Sequence, residues 1–165
     1  MRHSTFLVKS YGCQMNIYDS EKITSILENR GMKKSEDAEN ADLIIFNTCN
    51  IRDKAAHKLY SDIGRVDKFN KDKTIAVVGC VAQAENAEMF NKNKSIDIIL
   101  GPQSYHLLPK MIDDLKSNPK QLNTEFIINE KFDYLREQKR KKGVSSFITI
   151  QEGCDKFCSF CVVPY

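Results

Sequence analysis

The stretch Asp42–Phe69, "DLIIFNTCNIRDKAAHKLYSDIGRVDKF", decides the fold. Its opening "DLIIF" is short, β-branched and almost wholly apolar, which reads as a strand covered on both faces. Behind it Ala56, Leu59, Ile63 and Val66 recur at helical spacing, so one face of a following helix is apolar. A buried strand running into an amphipathic helix is the unit of a parallel sheet, because parallel strands need crossover connections.

The same rhythm extends in both directions. Upstream, "TFLVKS" (Thr5 to Ser10) precedes "NIYDSEKITSILENRG", where Ile23, Ile26 and Leu27 share a face and Gly31 is placed to end the helix. Downstream, "TIAVV" (Thr74 to Val78) leads to a shorter helix near Gln83 to Phe90. "DIIL" (Asp97 to Leu100) leads to a last helix with Pro109 in its first turn and Leu108, Met111, Ile112 and Leu115 facing inward. The expectation is an α/β domain over residues 1–118: a four-stranded, flavodoxin-like doubly wound parallel sheet in strand order 2-1-3-4. "KSNPKQLN" punctuates its end. Residues 119–143 read as a linker, with "TEFIIN" as an optional extra strand. Residues 144–165 start afresh with the strand "SSFITI" and a cysteine loop.

Composition fits this plan. The chain has 165 residues, 41% hydrophobic and 28% charged, the composition of an ordinary globular protein with enough apolar surface for a core. Its net charge of +3 forces no nucleic-acid reading, and the basic excess sits in "KFDYLREQKRKKG" (Lys131 to Gly143). The N-terminus lacks an apolar run of signal-peptide length, and nothing approaches the roughly 18 apolar residues of a membrane span. The expected location is the cytoplasm. Thiols stay reduced there, so six cysteines read as metal or redox groups rather than disulfides.

Three cysteines each follow a strand: Cys13, Cys49 ("FNTC") and Cys80 ("VVGC"). Loops at the carboxyl ends of parallel strands form the ligand crevice of such sheets. With neighbouring strands about 4.8 Å apart, the outer two of these residues are roughly 10 Å apart, within reach of one object a few ångströms wide. Any one of them reads equally as a small buried hydrophobe. Gly12 and Gly79, just before two of the cysteines, suit tight turns beside a ligand, or simply tight turns.

The chain's last stretch, "QEGCDKFCSFCVVPY", spaces Cys154, Cys158 and Cys161 as C-x3-C-x2-C. Structural zinc wants four ligands and a thioredoxin-like pair opens a helix, whereas iron–sulfur clusters favour short thiolate spacings. An iron–sulfur site is the favoured reading, with zinc and a redox pair as the alternatives.

"GCDKFCSFCVVPY" resembles the cluster loop of radical S-adenosylmethionine enzymes, including the aromatic Phe160 before the last cysteine. "YGCQMNIYDSE", "NTCNIRDKA", "VVGCVAQAE" and "GPQSYHLLP" resemble the N-terminal domain of methylthiotransferases, most closely the branch acting on isopentenyladenosine in tRNA. The resemblance runs from Phe6 to Tyr165. It implies two [4Fe–4S] clusters: Cys13, Cys49 and Cys80 hold an auxiliary one involved in sulfur delivery. Cys154, Cys158 and Cys161 hold one whose open iron binds S-adenosylmethionine, with Phe160 beside that cofactor. It implies 2-methylthiolation of a base next to the anticodon, by radical chemistry that the cofactors carry. The implied partners are the tRNA anticodon loop and unspecified sulfur and electron donors, with no membrane and a monomeric protein. In that family the loop opens a barrel and an RNA-binding domain follows. A chain ending at Tyr165 is therefore expected to be an N-terminal fragment with a truncated barrel, inactive in isolation.

The remaining motifs are blander. "KRKK" (Lys139 to Lys142) reads as a solvated linker before a phosphate contact. His57 and His106 lie on helices in packing or surface roles, His3 precedes the first strand, and Glu152 has no identifiable partner. The competing class is a non-catalytic α/β module whose cysteines hold a structural metal. A methylthiotransferase with a different substrate is a further alternative.

Overall fold

A computed structural model describes residues 3–49, 53–69, 72–125, 156, 157 and 159. Its strands are β1 (Thr5–Tyr11), β2 (Lys33–Lys34), β3 (Leu43–Thr48), β4 (Thr74–Gly79), β5 (Ile98–Leu100) and β6 (Gln121–Asn123). They form one sheet, order β2-β1-β3-β4-β5-β6, and every pairing is parallel. The helices are α1 (Gln14–Asn29), α2 (Asp53–Phe69), α3 (Cys80–Glu85), α4 (Glu88–Lys92) and α5 (Leu108–Asp114), the last preceded by a 3-10 turn at Tyr105–Leu107.

Side chains alternate across the sheet, so each strand feeds two cores. Phe6, Leu43, Ile45, Ala76, Val78, Ile98 and Leu100 pack under Ile23 and Leu27 of α1 and Leu108, Met111 and Ile112 of α5. Leu7, Ile44, Phe46, Ile75, Val77 and Ile99 pack under Leu59, Ile63 and Val66 of α2, Val81 and Ala82 of α3 and Met89 of α4. β3 is buried along its whole length, as a strand covered on both faces must be. Each fully buried Leu, Ile or Phe contributes about 1.5–3 kcal/mol, which is why these short strands suffice.

The α/β class and the parallel sheet are as expected; the strand order is a correction. The first five strands do follow the flavodoxin-like order 2-1-3-4-5, but the second of them is Lys33–Lys34. That two-residue strand carries no apolar signal, and both its residues are exposed. It occupies the flank of β1 where the sequence reading put "DLIIF", and β3 lies between β1 and β4 instead. Two further differences are local. The helix expected near Gln83–Phe90 is two helices, broken where Asn86 takes φ 49°. The sheet also continues past residue 118 through β6, whose Gln121–Asn123 pairs with Ile98–Leu100. Gly31 ends α1 as expected, at φ 87°. No helix among the described residues is long and apolar enough to cross a membrane.

The strand "SSFITI", the barrel start, "TEFIIN" beyond Glu125 and the basic stretch Lys131–Gly143 lie outside the described residues.

Candidate functional site

The carboxyl ends of the three central strands are in register: Tyr11 pairs with Thr48, and Thr48 with Gly79. Cys49 and Cys80 are each one residue beyond their strand, and Cys13 is two beyond, at the N-cap of α1. The three thiols therefore share one sheet edge, with Cys49 on the middle strand. Cys49 is buried, Cys13 half-buried and Cys80 exposed, and none is in a disulfide among the described residues. Cys154, Cys158, Cys161 and Phe160 lie outside the described residues, as does Glu152.

The two glycines are required by geometry. Gly12 adopts φ 147° and Gly79 φ 94°, conformations that side chains rarely adopt. A Cβ at Gly12 would collide with Asn16 Oδ1 and with the Cβ of Cys49. A Cβ at Gly79 would lie 2.6 Å from the Thr48 carbonyl oxygen and 2.7 Å from Asn47 Oδ1. Both turns thus bring backbone against the neighbouring strand end, where a side chain would hold the cysteine-bearing loops apart.

Beneath the thiols lies a polar layer. Asn16 and Asn47 are buried, and Asn16 Nδ2 donates to Asn47 Oδ1 at 3.1 Å. Asn47 Nδ2 donates to the Asn16 carbonyl (2.8 Å) and to Ser20 Oγ (3.0 Å). Asn16 Oδ1 accepts from the Cys13 backbone N–H (3.1 Å) and thiol (3.4 Å). Thr48 Oγ1 donates to the Val78 carbonyl at 3.1 Å, tying β3 to β4 just below Cys49 and Cys80. Further along α1, Asp19 accepts from the buried Tyr105 hydroxyl at 3.0 Å, and the Lys22 ammonium lies 5.8 Å from that ring's centroid. This fixes α1 against the loop after β5.

On the other face Tyr11 stacks on Phe46 with ring centroids 6.2 Å apart. The Tyr11 hydroxyl donates to Asp62, which Arg65 also pairs at 2.8 Å. Burial, then the bond to the Asp62 carboxylate, pushes the Tyr11 phenol well above its ordinary value. It is a neutral donor throughout the physiological range.

Among the described residues, no three of His, Cys, Asp and Glu are gathered closely enough to hold a metal ion. A multi-iron cluster is wider than one ion and is held by cysteine thiolates. The all-sulfur donor set suits iron–sulfur chemistry. On those grounds Cys13, Cys49 and Cys80 fit a cluster. His57 is exposed on α2 and His106 lies in the 3-10 turn. His3 Nε2 is 2.8 Å from Thr74 Oγ1 at the opposite end of the sheet.

The sequence reading missed Asn16 and Asn47. The available signal was Asn47 itself, a polar residue inside a strand covered on both faces, which must find a buried partner.

A family profile described as "Uncharacterized protein family UPF0004" matches residues 5–101, from the start of β1 to the residue after β5. Curated relatives bearing the name tRNA-2-methylthio-N(6)-dimethylallyladenosine synthase align with nearly the whole chain. Those of Neorickettsia sennetsu, Zymomonas mobilis and Cereibacter sphaeroides are 53%, 51% and 49% identical to it. The alignments cover 96–97% of this chain and 36–37% of the relatives, so the chain spans little more than a third of their length.

Proposed function

This chain belongs to the uncharacterized protein family UPF0004, and from that premise we propose that it serves the 2-methylthiolation of dimethylallyladenosine in tRNA, the reaction its relatives are named for. Cys13, Cys49 and Cys80 would hold an auxiliary [4Fe–4S] cluster. Cys154, Cys158 and Cys161 would hold a second, with Phe160 beside a bound S-adenosylmethionine. Together these groups supply one-electron chemistry at a C–H position that acid–base catalysis cannot activate.

The observation that carries this reading is the register Tyr11–Thr48–Gly79, which brings three thiols to one edge. Around it the chain's own residues have definable tasks. Gly12 and Gly79 let the cysteine-bearing turns pack against the neighbouring strand ends, and Asn16 and Thr48 hold two of those turns against their neighbours. Cys49, at 2% exposure, would keep one ligand out of water, while the exposed Cys80 faces incoming reactants. The tRNA substrate is an unpaired base of the anticodon loop, accessible to a pocket as single-stranded RNA is. A cytoplasmic monomer suits these tasks. A separate donor would bring the sulfur, and another the electrons.

A second reading, a non-catalytic α/β module whose cysteines hold no cluster, draws on the thiol bond of Cys13 to Asn16, which satisfies that cysteine without any metal. Anaerobic reconstitution with iron and sulfide separates the two. About eight irons per chain is the expected result, about four means one cluster, and none sinks the cluster reading. With the three terminal cysteines changed to serine, Cys13→Ala, Cys49→Ala or Cys80→Ala should each remove most of the remaining iron.

A further inference from the structure

We infer that the buried Asn16–Asn47 amide pair is the positioning element that fixes the mutual placement of Cys13, Cys49 and Cys80. The inference rests on the reading of those thiols as ligands of one cluster.

All three cysteine-bearing chain ends meet this pair. Asn16, one turn into α1, accepts the Cys13 backbone N–H, and its Oδ1 also occupies the space a Gly12 side chain would need. Asn47 lies two residues before Cys49, and its Oδ1 lies 2.7 Å from where a Gly79 Cβ would be, one residue before Cys80. The two amides thus share in the need for glycine at both positions, beside the Cys49 Cβ at Gly12 and the Thr48 carbonyl at Gly79.

The orientation of both amides is forced. The Asn16 carbonyl can only accept, so the Asn47 group beside it must be the NH2. Asn47 then presents its oxygen to Asn16, which must donate its own NH2. The remaining Asn16 oxygen faces the Cys13 N–H, which can only donate. From β3 to the first turn of α1, every bond has a single satisfiable direction. Asn16 is 3% exposed and Asn47 0%, so water offers neither an alternative partner. An apolar pair of similar size would fill the space without a desolvation cost, so what the amides add is direction.

The test is iron retention by the reconstituted full chain with Cys154, Cys158 and Cys161 changed to serine. The comparison set is Asn16→Ala, Asn47→Ala, the double variant and Ser20→Ala. Ser20→Ala removes a contact of Asn47 that touches no cysteine turn and serves as the stability control. The double variant leaves neither side-chain amide unpaired, so it keeps the test valid if a single variant fails to fold. Metal-free circular dichroism and a urea midpoint are recorded for each. Asn16→Ala and the double variant should lose iron to a chelator about tenfold faster than the parent, the scale of removing a group that orients a metal ligand. Their electron paramagnetic resonance spectra should change, with the double no worse than the worse single, as residues acting as one unit behave. Ser20→Ala should lower the midpoint and leave both cluster readouts alone. Parent-like retention and spectra in the double variant overturn the inference while the cluster reading stands. A parent that takes up no iron removes the cluster reading and this inference with it.

Discussion

The two ends of the sheet are built on opposite principles. At the amino end the strand starts are closed with charged side chains. Asp42 accepts from the backbone N–H and hydroxyl of both Ser4 and Thr5. Asp97 accepts the Ile75 N–H at 2.9 Å and faces Lys120 at 3.5 Å. Lys73 donates to the carbonyls of Glu39 and Ala41. At the carboxyl end the same three central strands finish in glycine turns, thiols and a neutral amide pair. Charge closes the amino end. The other end is packed through tight glycine turns and a neutral amide pair, and it is the end where open α/β sheets bind ligands.

That contrast predicts where a single methyl group does most harm. Gly79→Ala places a Cβ against the Thr48 carbonyl and Asn47 Oδ1 in a backbone conformation at φ 94°. It should cost about 2–4 kcal/mol of unfolding free energy, since strain and collision add. Gly31→Ala is the matched control, with φ 87° but nothing within 4 Å. It should cost only about 1–2 kcal/mol, the strain alone. Equal costs in urea unfolding would mean that the carboxyl end is not the crowded end.

Much of this architecture was legible before any coordinates. "DLIIF" and "TIAVV" are apolar because both faces are covered, and α1, α2 and α5 show their inward stripes. What was not legible is what apolar pattern does not encode. Lys33–Lys34 joins the sheet through backbone bonds alone, so the central strand was misassigned. Gln121–Asn123 is equally unmarked, for two of its three side chains are polar and the third, Leu122, is exposed. At the site the three cysteines announced themselves by position. The amides holding them did not, because an Asn in a strand looks like an interruption until its partner, 31 residues away in sequence, is seen.

A smaller effect is expected at the amino end. Asp42→Ala leaves the backbone N–H groups of Ser4 and Thr5 without their acceptor. Water reaches this half-exposed edge, so the loss should be about 1–2 kcal/mol. Iron uptake should be unchanged, because the substitution lies at the far end of the strands. A fall in iron content matching that of the cysteine variants would erase the division of labour between the two ends.

The smallest effects, and the ones that separate the ends most cleanly, are in pH dependence. Burial alone would raise the Asp42 carboxyl, but the Ser4 and Thr5 donors outweigh it and hold its pKa at about 2, below the ordinary 3.8. A carboxyl whose folded value is depressed gives stability that is complete above the unfolded value and lost as pH falls toward the folded one. The Asp42 contribution should therefore fade from about pH 4 down to pH 2. Tyr11, at the carboxyl end, has the opposite sign. Burial and the Asp62 carboxylate raise its phenol above the ordinary 10.0, so the folded state holds that proton more tightly than the unfolded chain. Its contribution is complete below pH 10.0 and lost as pH climbs from there toward the folded value. Urea midpoints measured across pH should show Asp42→Asn flattening the acid limb alone and Tyr11→Phe flattening the alkaline limb alone. If either substitution flattened both limbs, the two ends would be coupled through the sheet, and the amino end could no longer be treated as independent of the carboxyl end.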